Sequence, residues 1–322
     1  MGKLAEHLLT SVQASLNKLP DVDKETLADW TTVTNALTNG AGLEEALTLT
    51  DTTETLENLI RRATCELIEP ENRAIFTKVF LDGKKLSLVP LLTQLTLTNS
   101  YPLTIITTNY DCLVEYACMS IGANIDNLFY GSYFRRFDPA SRAKRHQIIK
   151  PIGSGNKRIP TVETDYVLIL KPHGSIDWFS KEGKTYLLPY PGPGIPEIIT
   201  PGKGKWKKDR LEPFVSVYAA CTRAIDAASG YLFLGYGYND EDLQEHYGSV
   251  ENRDKPKLIV TMESNSKIDE LLESSSNCML IVKKDDGAIV RWKLNNVLQT
   301  ETVFPDPFWK IDYLVEKVFR ES

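Results

Sequence analysis

The sequence predicts an α/β protein: a Rossmann-like open parallel sheet with helices on both faces, preceded by an N-terminal helical module. Three observations predict it. Residues 1 to about 100 carry apolar side chains at helical spacing. From Leu103 onward the apolar residues gather instead into short runs of strand length. Those runs are nearly continuous rather than alternating, which suits a parallel strand covered on both faces, and polar turns and helical stretches separate them.

In the first hundred residues Leu4, Leu8, Val12 and Leu16 recur at helical spacing, and Leu56, Leu59, Ile60 and Ala63 do so again. Between them, Gly40-Ala41-Gly42 has helical sequence on both sides and no apolar strand ahead of it, so it is expected to end a helix rather than cradle a phosphate. The strand-like runs are LTIITTN (103–109), YVLILKPHG (166–174), YLFLGYGY (231–238), KLIVTME (257–263) and CMLIVKK (278–284). Helices are expected over 111–121 and about 212–228. The strands near 103–109, 166–172, 231–236 and 257–262 are expected in one sheet, with their carboxyl ends on one edge. The expectation is a single domain over 1–322: a helical module (1–100), a Rossmann-like core (101–300) and a C-terminal helix (301–322).

Two loop-rich stretches interrupt the pattern. Residues 131–160 carry eight Lys or Arg and one acid, Asp138. Residues 187–210 are rich in Pro and Gly and end in KGKWKKDR. Each admits a solvated loop or a phosphate- or partner-binding surface.

Composition narrows the class. The 322 residues are 42% hydrophobic and 25% charged, ordinary for a globular protein. A net charge of −6 gives no reason to expect general binding to nucleic acid or anionic membrane. No apolar run approaches the roughly 20 residues that span a bilayer, and the N-terminus has no secretory signal. A cytoplasmic protein is expected, without membrane association. The cysteines are odd in number, and no two stand in a CxxC pair. Reduced cysteines packed as small hydrophobes are therefore expected, with no metal site.

In an open parallel sheet, ligands bind beyond the carboxyl ends of the strands, so the residues that end the strands are the candidates. The first run ends in Thr107-Thr108-Asn109-Tyr110-Asp111. Asp111 could cap the following helix and Asn109 form an Asx-turn, or the pair could face a ligand. The second ends in Lys171-Pro172-His173-Gly174-Ser175. His173 could orient or activate a hydroxyl or a water, or be structural. The third ends in Gly235-Tyr236-Gly237-Tyr238-Asn239-Asp240, whose glycines let the backbone approach a phosphate or ribose. The fourth ends in Glu263-Ser264-Asn265, where an acid or amide could meet an adenosine ribose. His7, His146 and His246 lie in helical or loop contexts and read as bystanders without convergent partners.

NYD, PHGS and GYGYND, in this order at successive strand ends, resemble the sirtuin-like superfamily, in particular its prokaryotic branch of NAD hydrolases from anti-phage defence systems. The resemblance covers roughly residues 1–285. It implies NAD as substrate and cleavage of its nicotinamide–ribose bond to nicotinamide and ADP-ribose. Asn109 and His173 are the implied catalytic pair: Asn109 positions water or ribose hydroxyls, and His173 acts as general base. Asp111 supports the asparagine loop or the developing charge. Thr108, Tyr110, Gly174, Gly235, Tyr236 and Gly237 are the implied NAD-binding residues. The absence of paired CxxC motifs argues against zinc and against protein deacylation.

The family normally begins with an apolar strand running into a Gly-Ala-Gly turn, and here the sequence opens on the following helix. The expectation is that codons upstream of Met1 encode that strand, and otherwise that the central strand is lost. Two other functions stay open: a catalytically inactive nucleotide-binding scaffold or sensor, and transfer of ADP-ribose to a macromolecule. The resemblance further implies a homo-oligomer docking on a HerA-type ATPase, or a short Argonaute in its place, with the basic 131–160 stretch as a contact surface.

Overall fold

The computed structural model describes residues 2–98, 102–141, 145–149, 161–163, 165–188, 194–202, 211–238, 240–299 and 301–319. The chain opens on five helices: α1 (Lys3–Leu16), α2 (Lys24–Thr38), α3 (Leu43–Thr48), α4 (Glu54–Phe80) and α5 (Val89–Thr98). The periodic apolar residues do what their spacing predicts. Leu8, Val12 and Leu16 of α1 and Leu56, Ile60 and Ala63 of α4 join Trp30, Val33 and Leu37 of α2 in one buried core. Side-chain caps start α2 and α4, with Asp23 accepting from the Thr26 amide at 2.7 Å and Thr53 from the Leu56 amide at 3.3 Å.

Gly40 ends α2 as expected. Its φ of +93° lets its amide reach the Leu37 carbonyl at 3.1 Å and the Ala41 amide reach Ala36 at 3.0 Å, the paired bonds of a Schellman turn.

Two compact units form. The first comprises Met1–Lys84 and Tyr101–Tyr218, and the second Lys85–Ser100 and Ala219–Ser322. In the first unit, β1 (Leu103–Ile106) leads into α6 (Leu113–Ser120), then β2 (Ile125–Asp126), β3 (Phe129–Tyr130), β4 (Arg135–Phe137), β5 (Gln147–Ile149) and β6 (Thr161–Glu163). Then come β7 (Val167–Leu170), β8 (Gly174–Lys181), β9 (Lys184–Leu187) and β10 (Pro196–Ile198). β7 lies between β1 and β2, parallel to both, and all four of its side chains are buried, which accounts for its unbroken apolar sequence. A second, antiparallel sheet runs β10-β8-β9-β4-β3, and β5 pairs with β6.

In the second unit, α7 (Phe214–Ala227, from Ala219 onward) precedes β11 (Tyr231–Leu234), α8 (Glu241–Gly248), β12 (Lys257–Thr261), α9 (Ser266–Ser274) and β13 (Cys278–Lys284). β14 (Gly287–Leu294), β15 (Val297–Leu298), β16 (Thr302–Phe304) and α10 (Ile311–Phe319) complete it. β11, β12 and β13 pair in parallel, and β14 returns antiparallel to β13. Adjacent residues Ile259 and Val260, and likewise Leu280 and Ile281, are buried, so both faces of this sheet are covered. Val260 and Ile281 pack with Leu314 of α10.

The fold is thus the expected mixed α/β architecture, with one difference. The four strands expected in one sheet fall into two ladders, β1-β7-β2 and β11-β12-β13 with its antiparallel extension. β1 and β11 are each the edge of their own ladder, and no strand among the described residues bonds to the open side of either.

Two further expectations change. Within the basic 131–160 stretch, Arg135 and Arg145 turn inward. Arg135 donates to Asn127 Oδ1 at 2.7 Å and to the Phe129 carbonyl at 3.0 Å, and Arg145 donates to the carbonyls of Phe129 and Asp138. These two pin the β3–β4 hairpin rather than face solvent. Arg142, Lys144, Lys150, Lys157 and Arg158 lie outside the described residues, as does the whole KGKWKKDR segment. His146 is also no bystander. It bonds the buried Asp126 carboxylate at 2.9 Å and stacks on Tyr166 at 3.8 Å. His7 meets Ser11 one turn on at 3.1 Å, and His246 meets Thr222 of α7 at 3.3 Å.

Among the described residues, no helix is long and apolar enough to cross a membrane.

Candidate active site at the ends of β1 and β7

The parallel register pairs Leu103 with Val167 and Ile106 with Leu170, so both strands end at one edge. The Thr107 amide extends the ladder by one bond, reaching the Leu170 carbonyl at 3.0 Å. Beyond this point the chains diverge into two loops, Thr108–Cys112 and Lys171–Ser175, the second of which includes the first two residues of β8. Asn109 and His173 each stand three residues past the last ladder pair. Asn109 is exposed at its loop, with its backbone amide donating to Thr107 Oγ1 at 3.2 Å. His173 and Thr108 are half-buried.

Asp111 does not cap α6, whose N-cap is Cys112 without a side-chain bond. Its Oδ1 instead accepts from the Leu113 amide at 3.0 Å, an Asx-turn that leads the Asn109 loop into α6. An Asx-turn at Asn109 is replaced by the Thr107 hydroxyl contact.

The two loops are stitched together directly. The Ile176 amide donates to the Tyr110 carbonyl at 3.1 Å, and Ser175 Oγ donates to the same oxygen at 3.2 Å. β10 lies across the His173 loop as a strap. The Ile199 amide donates to the His173 carbonyl at 2.9 Å, and the Tyr110 hydroxyl donates to the Ile199 carbonyl at 2.6 Å. The Tyr110 phenol is therefore a brace, and burial pushes its pKa above the usual range. Gly174 has a φ of +80° and lies flush against Glu197 of the strap.

Beneath the loops is a buried ionic cluster that sequence reasoning missed. Lys171, 2% exposed, donates to the Asp111 carbonyl, to Ser175 Oγ at 3.0 Å and to Glu115 Oε1 at 3.1 Å. All three ammonium hydrogens are thereby used. Burial opposes the charge on both members of the pair. It raises the Glu115 carboxyl by more than Lys171 lowers it. For Lys171, the attraction of Glu115, Cys112 and Asp177 outweighs burial and leaves the pKa raised. The three acceptors around Nζ fit the charged ammonium.

Two residues of α4 support these loops, one directly and one through the strap. Asn72 accepts from the Cys112 amide at 2.9 Å and donates to the Tyr116 hydroxyl at 2.7 Å, so it holds the start of α6. Arg61 donates to the Pro196 carbonyl and to Glu197 Oε2 at 2.9 Å, so it holds the strap.

The third motif lies in the second unit. The Gly235 amide bonds the Val260 carbonyl at 2.9 Å, its φ is +59°, and no atom of the described residues stands within 4 Å of where a Cβ would point. The half-buried Tyr236 stacks on Phe233 at 6.0 Å, while the Gly237 carbonyl accepts from Asn265 Nδ2 at 2.8 Å. Asn265 also caps α9 through the Ile268 amide at 3.0 Å, so its amide group is structural, and Glu263 is exposed. Asp240 caps α8, and Asn239 lies outside the described residues.

Among the described residues no three His, Cys, Asp or Glu side chains gather as a metal site. The five cysteines are free thiols, four buried and Cys65 half-buried.

A comparison with curated proteins finds no match. The family described as SIR2-like domain matches residues 103–281, more than half of the chain. The matched span begins at β1 and contains all three strand-end motifs, while the helical module precedes it. The members of that family are NAD-binding proteins, and this chain belongs to the SIR2-like domain family.

Proposed function

We propose that this protein is an NAD glycohydrolase, releasing nicotinamide and ADP-ribose, and that it serves as the effector of an anti-phage system that depletes NAD. The observation that carries the reading is the register of β1 with β7, which brings the Asn109 and His173 loops to one sheet edge within a SIR2-like span. Open space beside Gly235 and its left-handed backbone suit a cofactor phosphate or ribose.

Hydrolysis needs an oxocarbenium-like centre at the ribose C1′ and a water aimed at it. In this reading Asn109 orients that water or the ribose hydroxyls. The water oxygen bonds to C1′ as the C1′–N bond breaks, the bonding pair leaves with neutral nicotinamide, and His173 takes the water proton. Asp111 acts through its Asx-turn to Leu113, which steadies the loop carrying Asn109. In the first unit Thr108, Tyr110 and Gly174 would contact the dinucleotide, Tyr110 through its backbone, and in the second unit Tyr236 and Gly237 are the proposed contacts.

In the cell we propose a homo-oligomer restrained by a HerA-type ATPase, with a short Argonaute as the other partner to test. The test of function is nicotinamide release from NAD by purified protein, alone and with its assembled partner. Release that requires His173 supports the reading, and none under any assembly overturns it. A second reading, an inactive nucleotide-binding scaffold, draws on one observation: Gly40–Gly42 closes a helix and is no phosphate loop. NAD binding without turnover would select it. ADP-ribose attached to a macromolecule, in place of free ADP-ribose, would select transfer.

A further inference from the structure

The buried lysine below the two loops has a geometry that suits neither a surface ion pair nor a core filler. Its Nζ reaches one backbone carbonyl in the Asn109 loop, Asp111, and one side chain in the His173 loop, Ser175. The third hydrogen goes to Glu115 on α6. Ser175 in turn donates to the Tyr110 carbonyl, so the contacts close a ring that crosses from one loop to the other and back. A lysine in an otherwise apolar strand end is costly unless paired and fully bonded. Here the bonding is complete, and two of its three acceptors lie in the loops that carry the candidate catalytic pair.

We infer that Lys171 is a positioning residue: its ammonium fixes the Asn109 loop against the His173 loop and so sets the spacing at which the two side chains act. This rests on the reading proposed above. Lys171 itself is buried beneath the loops and has no acceptor capacity, so it takes no proton and touches no substrate in this role. The bond it supports is the one from the Ile176 amide to the Tyr110 carbonyl, and exchange of that amide reports it.

The test uses Lys171→Met, which keeps the chain length without the charge, and Lys171→Met with Glu115→Gln, which leaves no buried carboxylate behind. Amide hydrogen exchange and nicotinamide release are measured in both. Exchange at Ile176 is expected to quicken at least about tenfold relative to the β1–β7 ladder amide of Thr107. A misplacement of about 1 Å costs on the order of 10²-fold in rate, so kcat is expected to fall by about that factor while KM moves less than about threefold. A general loss of stability would instead quicken Thr107 and Ile176 together, and that result overturns the inference, as does a failure of both variants to fold. Parental exchange at Ile176 with parental kcat also overturns it. If the parent releases no nicotinamide, the glycohydrolase reading falls, and selective loosening at Ile176 still decides whether Lys171 sets the loop geometry.

Discussion

A Cβ placed on Gly174 would stand 2.0 Å from the carbonyl oxygen of Glu197 and 2.9 Å from its carbonyl carbon. These are backbone atoms of a strap held from two sides, by Arg61 and by the bond from Ile199 to His173, so the obstacle is rigid. The residue after His173 must be glycine both for space and for its φ of +80°.

Gly174→Ala is therefore expected to be among the most damaging single substitutions in the first unit. Overpacking costs about 1–3 kcal/mol, and the left-handed backbone adds roughly 1–2 kcal/mol for a residue with a Cβ. Urea unfolding checks it: the midpoint should fall with little change in slope. A parental midpoint would mean that the strap yields.

Arg61 joins the helical module to that strap. Removing one partner of a buried ion pair costs about 3–5 kcal/mol, because the other charge is left uncompensated, and Glu197 is only 18% exposed at its side chain. Arg61→Leu is expected to lower the unfolding midpoint accordingly, and Arg61→Leu with Glu197→Gln to recover much of the loss. A double variant as unstable as the single one would show that packing, not charge, is what Arg61 supplies.

These contacts mark the limit of what sequence reveals. The helical module, the apolar strands and the closing turn at Gly40 were legible because periodicity and local backbone chemistry specify them. Lys171 left a trace, a lysine closing the run YVLIL, though two of its three acceptors, Asp111 and Glu115, come from a distant part of the chain. Arg61 and Asn72 left none, since their partners lie 135 and 40 positions away. His146 was misread for the same reason: Asp126 reaches it from a strand twenty positions earlier. The division of the parallel strands into two ladders depends on pairing partners, which apolar runs do not encode.

Alkaline pH should weaken the protein. Burial, with Glu69 and Glu66 beside it, pushes the Cys65 thiol to about 11. Burial also pushes Cys278 to about 11, against the pull of Lys257 and Lys293. In the unfolded chain these thiols titrate near 9, so the folded state holds more protons between those values. The stability they contribute is whole below about pH 9 and is lost as pH rises through the folded pKa values. Thermal midpoints are expected to be level from pH 7 to 8.5 and to fall by pH 10.5. Thiol alkylation of native protein at pH 8 should be slow at all five cysteines, and fast labelling of Cys65 would contradict its raised pKa.

The remaining prediction concerns turnover. If His173 is the general base, its loss removes a contribution typically worth about 10²–10⁴-fold, so His173→Ala should bring nicotinamide release near background. Asn109 is exposed and makes its known contact through its backbone, so Asn109→Ala should remove the side chain's positioning without disturbing the fold. Its unfolding midpoint should stay parental while kcat collapses. Asp111→Ala should behave differently, because it removes the side-chain bond to the Leu113 amide, and a lost hydrogen bond costs about 0.5–1.5 kcal/mol of stability. Both its midpoint and its rate should drop. His246→Ala is the control, since that ring meets only Thr222 among its described side-chain partners and lies in the other unit. A folded His173→Ala protein that releases nicotinamide at the parental rate would remove His173 from the chemistry. A folded Asn109→Ala protein that did the same would leave the edge of β1 and β7 without its catalytic pair.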